Sequence, residues 1–203
     1  MKQTIKNGKI NLILELANKN DGYITTNMIT KNKIHREYLN EMLKEGKIIK
    51  VIRSVYILND RQPDMFYALT LKNPKIIFCE MTSLYLLGYI KKCPLKYDIV
   101  VDANYHDESL KKDYHVVKCN SNIINIGEIV YTSPSLKKVK IYDVERCICD
   151  LIKFKKRYDF KIIKEVINKY MRNEKNLDKL YDYASKLRVI KELKRIISLH
   201  VED

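Results

Sequence analysis

Residues 22–58, GYITTNMITKNKIHREYLNEMLKEGKIIKVIRSVYIL, contain the pattern that decides the fold of the N-terminal part of the chain. Thr25 and Thr26 precede a short apolar run, and a threonine in that place can cap the first free amides of a helix. A second helix is predicted over 35–45, because apolar residues recur three and four positions apart along one face. These inward residues are Tyr38, Leu39, Met42 and Leu43.

A β-hairpin is predicted to follow the second helix. Gly46 stands where the end of a helix favours a left-handed residue. The short β-branched runs 48–51 and 55–58 then flank a tight turn, which fits two paired strands. An amphipathic helix over 3–19 precedes the whole pattern. This order predicts a winged helix-turn-helix, whose second helix is of a size that enters the DNA major groove.

The outward residues of the predicted recognition helix carry the functional hypothesis. Arg36 and Asn40 lie one turn apart, and their side chains suit the edges of guanine and adenine respectively. Glu37 and Glu41 would repel phosphate, so the edge that faces DNA is expected to be narrow. The predicted DNA-contacting residues, including those of the wing, are Thr25, Thr26, Lys33, His35, Arg36, Asn40, Lys44, Lys50 and Arg53.

The net charge of +14 is concentrated at the two ends of the chain. Residues 1–62 carry a net charge of +6, residues 63–149 of +2 and residues 150–203 of +6. A basic segment with a helix-turn-helix pattern is typical of a domain that binds phosphate groups. The alternative is a winged fold used only for protein contacts. The basic C-terminal end has no such motif and is compatible with contacts to DNA, an acidic partner or solvent alone.

The N-terminal stretch also resembles a known family. The segments GYITT, IHREYL, EGKI and RSVYIL are similar to the N-terminal domain of AbiEi-type antitoxins, the antitoxin halves of type IV toxin–antitoxin, or abortive-infection, systems. Residues 63–90 (PDMFYALTLKNPKIIFCEMTSLYLLGYI) and 142–152 (YDVERCICDLI) resemble later segments of that family. One departure is Ser54, because the family usually has glycine after the arginine of the wing.

The resemblance implies a function in phage defence. It implies an antitoxin that represses its own operon by binding inverted repeats in double-stranded DNA. It also implies a C-terminal region that neutralises an AbiEii-like nucleotidyltransferase toxin, without the need for a stable complex between the two proteins. A stand-alone winged-helix regulator of the same family, with no toxin, is the alternative.

The chain is predicted to have an α+β fold in two domains. The segment 59–63 is polar and ends in proline, so residues 1–62 are assigned to the winged helix-turn-helix domain. Residues 63–203 are expected to form a mixed sheet over about 63–142 and a helical tail over about 143–203. Strands of that sheet are predicted over 76–78, 97–101, 114–118, 123–132 and 139–142.

The residues offer little support for an enzyme. Asp98 and Asp102 share one face of a predicted strand, where paired carboxylates can hold a metal ion for a phosphotransferase or nuclease. With Asp107, Glu108 and Asp113 nearby, a solvated acidic edge is the simpler explanation. The chain has only five glycines and shows no glycine-rich phosphate loop. We therefore predict no enzyme activity and no cofactor.

Other broad protein classes are disfavoured by composition. The five cysteines are scattered without the spacing of metal ligands, so they are predicted to be reduced thiols and no metal site is expected. No run approaches the roughly 18 apolar residues of a membrane span, and no signal-peptide pattern opens the sequence. The expectation is a cytoplasmic protein without membrane contacts.

Overall fold

The structure, a computed structural model, describes residues 2–106, 110–173 and 175–198. The chain divides into two compact units. The N-terminal unit consists of Met1–Pro74 and Ser133–Lys137, and the C-terminal unit consists of Lys75–Thr132 and Lys138–Asp203. Within the described ranges, no helix is both long enough and apolar enough to cross a lipid bilayer.

The N-terminal unit is a winged helix-turn-helix, as predicted. Its elements are α1 (Lys2–Asn18), β1 (Tyr23–Thr25), α2 (Thr26–Lys31), α3 (Glu37–Lys44), β2 (Ile48–Ile52), β3 (Val55–Leu58) and α4 (Met65–Lys72). The strands form an antiparallel sheet in which β3 lies between β1 and β2. The hairpin of β2 and β3 is the wing, and α3 is the recognition helix.

The core of this unit is built from the inward faces of α1 and α3. Ile13 and Ala17 of α1, with Leu39 and Met42 of α3, are each at most 1% exposed. Burial of each large apolar side chain contributes about 1.5–3 kcal/mol. The other two apolar residues of the predicted inward face of α3 are half-buried against the same cluster. The predicted orientation of the recognition helix is therefore confirmed.

The recognition helix begins at Glu37, later than the predicted start at residue 35. Lys33 adopts a φ of +54°, and the amide of Ile34 closes the turn by donating to a carbonyl of α2 at 3.0 Å. The turn is longer than expected as a result. His35 therefore precedes the helix, and Arg36 is its N-cap residue.

α4 belongs to the N-terminal unit, whereas the sequence assigned residues 63–203 to a second domain. The hydroxyl of Tyr23 accepts a hydrogen bond from the amide of Asp64 at 2.7 Å, and the Tyr23 ring meets that of Tyr67 edge-on at 5.2 Å. Asp64 also caps α4 by accepting from the amide of Tyr67 at 3.0 Å. These contacts attach α4 to β1, so the compact unit extends to Pro74.

The segment Ser133–Lys137 also groups with the N-terminal unit. The hydroxyl of Ser133 donates to Oδ2 of Asp64 at 2.5 Å, and the ammonium of Lys137 lies 2.8 Å from Oδ2 of Asp21. Both contacts join residues that are far apart in the sequence, so no local pattern predicted them.

The C-terminal unit is a mixed sheet with helices. Its elements are β4 (Ile77–Phe78), α5 (Glu80–Leu86), β5 (Asp98–Asp102), α6 (Leu110–Asp113), β6 (His115–Cys119), α7 (Ser121–Ile124), β7 (Glu128–Thr132), β8 (Lys138–Tyr142), α8 (Val144–Lys153), α9 (Phe160–Arg172), α10 (Leu177–Lys186) and α11 (Ile190–Ser198). The strand order is β6-β5-β4-β8-β7, with β5–β6 and β4–β8 parallel and the other pairs antiparallel. The predicted α+β class is confirmed.

A buried ion pair on α8 lies in the core of the C-terminal unit. Nε of Arg146 is 3.0 Å from Oδ2 of Asp150, one helical turn away. Nη1 of Arg146 donates to the carbonyls of Ile123 and Ile126 at 2.7 and 2.8 Å, and its guanidinium lies 4.3 Å from the ring centre of Tyr142. Because the charge is paired and these N–H groups reach carbonyls, its burial is tolerated.

The predicted strand over 123–132 is wrong in its first half. Residues Ser121–Ile124 form α7 instead, and β7 starts only at Glu128. The carbonyls of Ile123, in α7, and of Ile126, between α7 and β7, accept hydrogen bonds from Arg146. Gly127 then turns the chain with a φ of +80°, and a Cβ atom there would lie 2.5 Å from Cβ of Arg146.

The turn of the wing places a serine in the left-handed region. Ser54 has a φ of +72°, and Gly46, which follows the recognition helix, has a φ of +67°. A residue with a Cβ atom is less stable in this conformation by about 1–2 kcal/mol, whereas glycine adopts it freely. Ser54 is the position at which the family that the sequence resembles usually has glycine.

We expect Ser54→Gly to raise the free energy of unfolding by about 0.5–1 kcal/mol, because relief of the left-handed strain exceeds the added entropy of the unfolded chain. Gly46→Ala is the matched variant. No described atom lies within 4 Å of a Cβ built at Gly46, so only backbone strain changes, and a loss of about 1 kcal/mol is expected. Urea denaturation measures both. Equal stability of Ser54→Gly and the wild type would show that the turn is unstrained.

Candidate nucleic-acid interface

The recognition helix is positioned by the short helix before it. The hydroxyl oxygen of Thr25 accepts a hydrogen bond from the amide of Met28 at 3.2 Å and so caps α2, as predicted from the sequence. Thr25 is only 7% exposed. Its hydroxyl is used inside the fold, so the geometry does not favour a side-chain contact between Thr25 and DNA.

The wing is fixed beside the helix-turn-helix. β1 leads directly into α2 and pairs with β3, with Thr25 opposite Val55. The amide of Thr26, the first residue of α2, donates to the carbonyl of Ser54 in the wing turn at 3.0 Å. Thr26 is half-buried and contributes to the interface through this backbone contact. The wing turn and the start of α2 are therefore held together.

The outward face of the recognition helix is a stripe of exposed residues three and four positions apart: Glu37, Asn40 and Lys44. Arg36 is also exposed and precedes Asn40 by one turn, as predicted. Nη2 of Arg36 lies 3.4 Å from the hydroxyl of Thr30 near the end of α2. The guanidinium and the amide therefore stand close to the start of the helix, where each can reach a base edge.

Two acidic residues of this region are paired with lysines. Oε2 of Glu41 lies 3.0 Å from Nζ of Lys6 in α1, and Glu45 lies 2.7 Å from Lys47. The hydrogen bond and charge of Glu41 raise the pKa of Lys6, and those of Lys47 lower the pKa of Glu45. Because Glu41 is paired, it repels phosphate less than the sequence suggested. Glu37, the other acidic residue that the sequence singled out, is exposed on the outward face of α3. The sequence did not predict this role of Lys6, because the residues that form the pair lie far apart in the chain.

The turn between α2 and α3 is basic and exposed. Lys33 and His35 lie on it, as predicted, and both are exposed. Lys31, in the last turn of α2, is exposed as well. Lys31 was absent from the predicted set, although its position just before the turn was visible in the sequence. Basic side chains in such a turn are suited to contacts with the DNA backbone.

The wing presents two exposed cations. Lys50 lies in β2 opposite Tyr56, and the register shifts between Lys50 and Ile52. Arg53 lies at the turn. Ile49, beside Lys50, is 41% exposed. The wing thus presents both cations on a hairpin that β1 holds in place, and their contact with phosphate groups stays a prediction.

The structure does not bring Asp98 and Asp102 together. They occupy the two ends of β5, a separation of about 13 Å at the usual rise of a strand. Asp98 is buried, and its carboxylate accepts from the amide of Thr82 at 3.3 Å and lies 3.1 Å from Nδ1 of His115. Oδ2 of Asp102 accepts from the hydroxyl of Ser121 at 2.5 Å. The predicted alternative of a metal site on this pair therefore lacks its geometry.

No cluster of three or more potential metal ligands occurs in the part of the chain that the structure describes. Asp107 and Glu108, which the sequence placed on the same acidic edge, lie outside the described residues. Asp113 ends α6. The solvated acidic edge predicted from the sequence remains a prediction for these residues.

Sequence reasoning missed a buried carboxyl group in the C-terminal unit. Glu80 is 2% exposed, and its Oε2 accepts a hydrogen bond from the hydroxyl of Tyr158. Burial raises the pKa of Glu80 to about 7; the charges of Asp98 and Asp150 act in the same direction, and Tyr158 and Arg157 oppose them. No local pattern marks this residue, because its neighbours come from distant parts of the sequence.

Residues 11–59 match the sequence model of a family described as transcriptional regulator, AbiEi antitoxin. The matched range contains the C-terminal part of α1 from residue 11, the helix-turn-helix and the wing. It confirms the resemblance to AbiEi-type antitoxins over this part of the chain. It also supports a DNA-binding antitoxin role. Among curated proteins, no match to the chain was found.

The fold is similar to that in a crystal structure of the RV2827C protein from Mycobacterium tuberculosis. The TM-score is 0.53, and the two chains are 12% identical. The match covers 87% of this chain and 74% of that chain. At this identity the likeness concerns the fold alone, and it agrees with the α+β class.

We expect Glu80→Gln to change the pH dependence of stability. The pKa of Glu80 in the folded protein exceeds the ordinary value of 4.5, so the folded state binds more protons between about pH 4.5 and 7. The free energy of unfolding therefore falls as pH rises through this window, by an amount on the order of 3 kcal/mol. Glu80→Gln removes this loss. The difference in the free energy of unfolding between the variant and the wild type should therefore shift in favour of the variant as pH rises.

Chemical denaturation at several pH values measures the effect. Glu192→Gln, which changes an exposed glutamate of α11, is the control and should follow the wild-type profile. Parallel profiles for Glu80→Gln and the wild type would contradict the prediction.

Proposed function

We propose that this protein is the antitoxin of a type IV toxin–antitoxin system and represses its own operon by binding inverted repeats in the promoter. The observation that carries the DNA-binding part is the exposed pair of Arg36 and Asn40 at the start of α3. This pair lies within the range that matches the AbiEi family. The Glu41 carboxylate on the same helix is paired with Lys6.

The dimensions of the unit support docking in the major groove. An α-helix such as α3 has a diameter of about 10–12 Å with its side chains, which fits a groove about 12 Å wide. In this arrangement Arg36 and Asn40 contact base edges, and the turn before α3 contacts phosphate groups. Lys50 and Arg53 of the wing then contact the adjacent backbone or minor groove.

The antitoxin part of the proposal rests on the resemblance to AbiEi-type antitoxins. The cognate toxin is expected to be an AbiEii-like nucleotidyltransferase, and its neutralisation requires no stable complex. The proposal includes no catalytic step, cofactor or metal ion for this chain. Because a repressor acts on chromosomal DNA, the proposed location is the cytoplasm. A stand-alone regulator without a toxin is the alternative within the same family.

The proposal predicts specific binding of the full chain to its own promoter. We expect tight binding to the upstream fragment, weaker binding to a scrambled fragment and a steep decrease of affinity with salt, because phosphate contacts release counterions. Binding of both fragments across a salt titration measures this. Equal, weak binding to the two fragments would reject specific repression and favour a winged fold used for protein contacts.

The toxin part is tested separately. Induction of the neighbouring gene should arrest growth, and co-expression of this protein should restore it. Restoration by a variant that no longer binds the promoter would separate neutralisation from repression. Promoter binding without any effect on growth arrest would favour the stand-alone regulator.

Two substitutions distinguish contacts to bases from contacts to phosphate. Arg36→Ala should cost about 1–3 kcal/mol on the specific site and relax the preference at one base pair, because a base contact is lost. Lys50→Ala should weaken binding to all sequences alike and reduce the salt slope by about 1. Quantitative binding assays with single-base operator variants measure both.

Lys19→Ala is the matched control, because Lys19 is exposed in the turn after α1, outside the helix-turn-helix and the wing. Its affinity and salt slope should equal those of the wild type. If Arg36→Ala and Lys50→Ala also bind like the wild type, the proposed docking of α3 and the wing is wrong.

A further inference from the structure

The outward face of α9 is a basic groove outside the elements proposed to bind the promoter. It lies in the C-terminal unit and has a volume of about 540 Å³. All the described side chains of its lining are polar. The cations are those of Lys161, Lys164, Lys169 and Arg172, and the only carboxylate among these described residues is that of Glu165. The groove therefore has a net positive charge and suits an anionic ligand.

The cations follow the length of the helix. From Lys161 to Arg172 the axis rises by about 17 Å, at about 1.5 Å per residue. Both side chains are exposed, and neither forms an ion pair with a residue that the structure describes. The ammonium of Lys169 lies between them, where it donates to the carbonyl of Gly88. A row of cations of this length fits a linear polyanion better than a single small anion.

An exposed aromatic ring stands at the start of this row of cations. Phe160 is the first residue of α9 and is 55% exposed. Every other phenylalanine or tyrosine that the structure describes is buried or half-buried. Lys161 follows Phe160 directly, and Lys164 lies one helical turn along the same face. A ring beside cations is a platform on which a nucleic acid base stacks while the phosphate groups are bound.

The chain before α9 adds to the positive charge. Lys155–Arg157 form a single 3₁₀ turn, and all three residues are exposed. Over residues 153–165 there are six lysines and arginines against two carboxylates, a net charge of +4. One of the two, Asp159, caps α9 by accepting from the amide of Lys161 at 2.9 Å. Its charge is therefore partly compensated by the first turn of the helix.

We propose that this face of α9, together with Phe160, binds single-stranded RNA. Its cations contact successive phosphate groups, and an unpaired base stacks on the ring of Phe160. The bases of a duplex are already stacked on one another, so the ring favours a single strand. Asn168 lies one helical turn from both Lys164 and Arg172, and its amide can bond a 2′-hydroxyl group, which DNA lacks. An acidic polypeptide would use the cations but has no base for the ring.

Fluorescence anisotropy of the full chain with a labelled oligouridylate of about 12 nucleotides tests the proposal. The oligodeoxyuridylate of equal length differs only in the 2′-hydroxyl groups and should bind at least about five-fold more weakly. Poly-L-glutamate, matched in charge, should displace the RNA poorly. The proposal is overturned if the RNA does not bind at protein concentrations up to about 100 μM or if the two strands bind equally. Displacement by poly-L-glutamate as effective as that by unlabelled RNA would also overturn it and favour an acidic protein.

Variants of Phe160 separate stacking from apolar contact. Phe160→Leu keeps an apolar side chain but removes the ring, so the RNA affinity should fall at least about five-fold. Phe160→Tyr keeps the ring and should retain the affinity. Val130→Ala, which changes an exposed apolar residue of β7, is the control and should bind RNA like the wild type. Unchanged affinity in Phe160→Leu would overturn the proposal.

Charge variants locate the phosphate contacts and keep this test apart from that of promoter binding. Lys161→Gln should reduce the slope of log affinity against log salt concentration by about 0.7, the value for one contact to a single strand. Lys194→Gln, which changes an exposed lysine of α11, should leave the slope unchanged. Phe160→Leu should still bind the promoter like the wild type. If Arg36→Ala lowers the RNA affinity and Lys161→Gln does not, the RNA is bound by the winged unit and the proposal is overturned.

Discussion

The pairing of β1 with β3 is the constraint on which the DNA-binding part of the molecule depends. β1 is only three residues long, but it leads directly into α2 and lies against the inner strand of the wing. Thr25 is both the last residue of β1 and the cap of α2, and the next amide binds the wing turn at Ser54. One short strand therefore sets the position of the helix-turn-helix and of the wing, and with them the spacing between their cations.

The same strand explains why the N-terminal unit continues beyond the wing. The hydroxyl of Tyr23, at the start of β1, accepts a hydrogen bond from the amide of Asp64, and the Tyr23 ring packs against Tyr67 of α4. From the sequence, the polar segment 59–63 with its proline was the natural place for a boundary. Composition marks a loop, but it does not show whether the element after the loop packs back onto what precedes it. The contacts of Tyr23 with Asp64 and Tyr67 decide this, and they join residues more than forty positions apart.

Features set by local patterns were predictable, and those set by distant contacts were not. The cap at Thr25, the inward face with Leu39 and Met42 and the α+β class follow from spacing and residue type. The first half of the strand predicted over 123–132 is wrong, because the carbonyls of Ile123 and Ile126 accept hydrogen bonds from Arg146 of α8. In the candidate interface, exposure of Arg36 and Asn40 followed from helical periodicity. Thr25, in contrast, could not be recognised as buried from its position alone.

The buried charges of the C-terminal unit divide into two kinds by how far the fold compensates them. Arg146 and Asp150 belong to a segment that resembles the family, yet they pair with each other and with backbone carbonyls, which is how a core tolerates charge. Glu80 is buried as deeply but keeps an oxygen without a partner, on a strained backbone and beside a cavity. Protein interiors rarely retain such a group when an apolar side chain would serve. The charges of the first kind are therefore compensated within the fold, whereas the carboxyl group of Glu80 is compensated only in part.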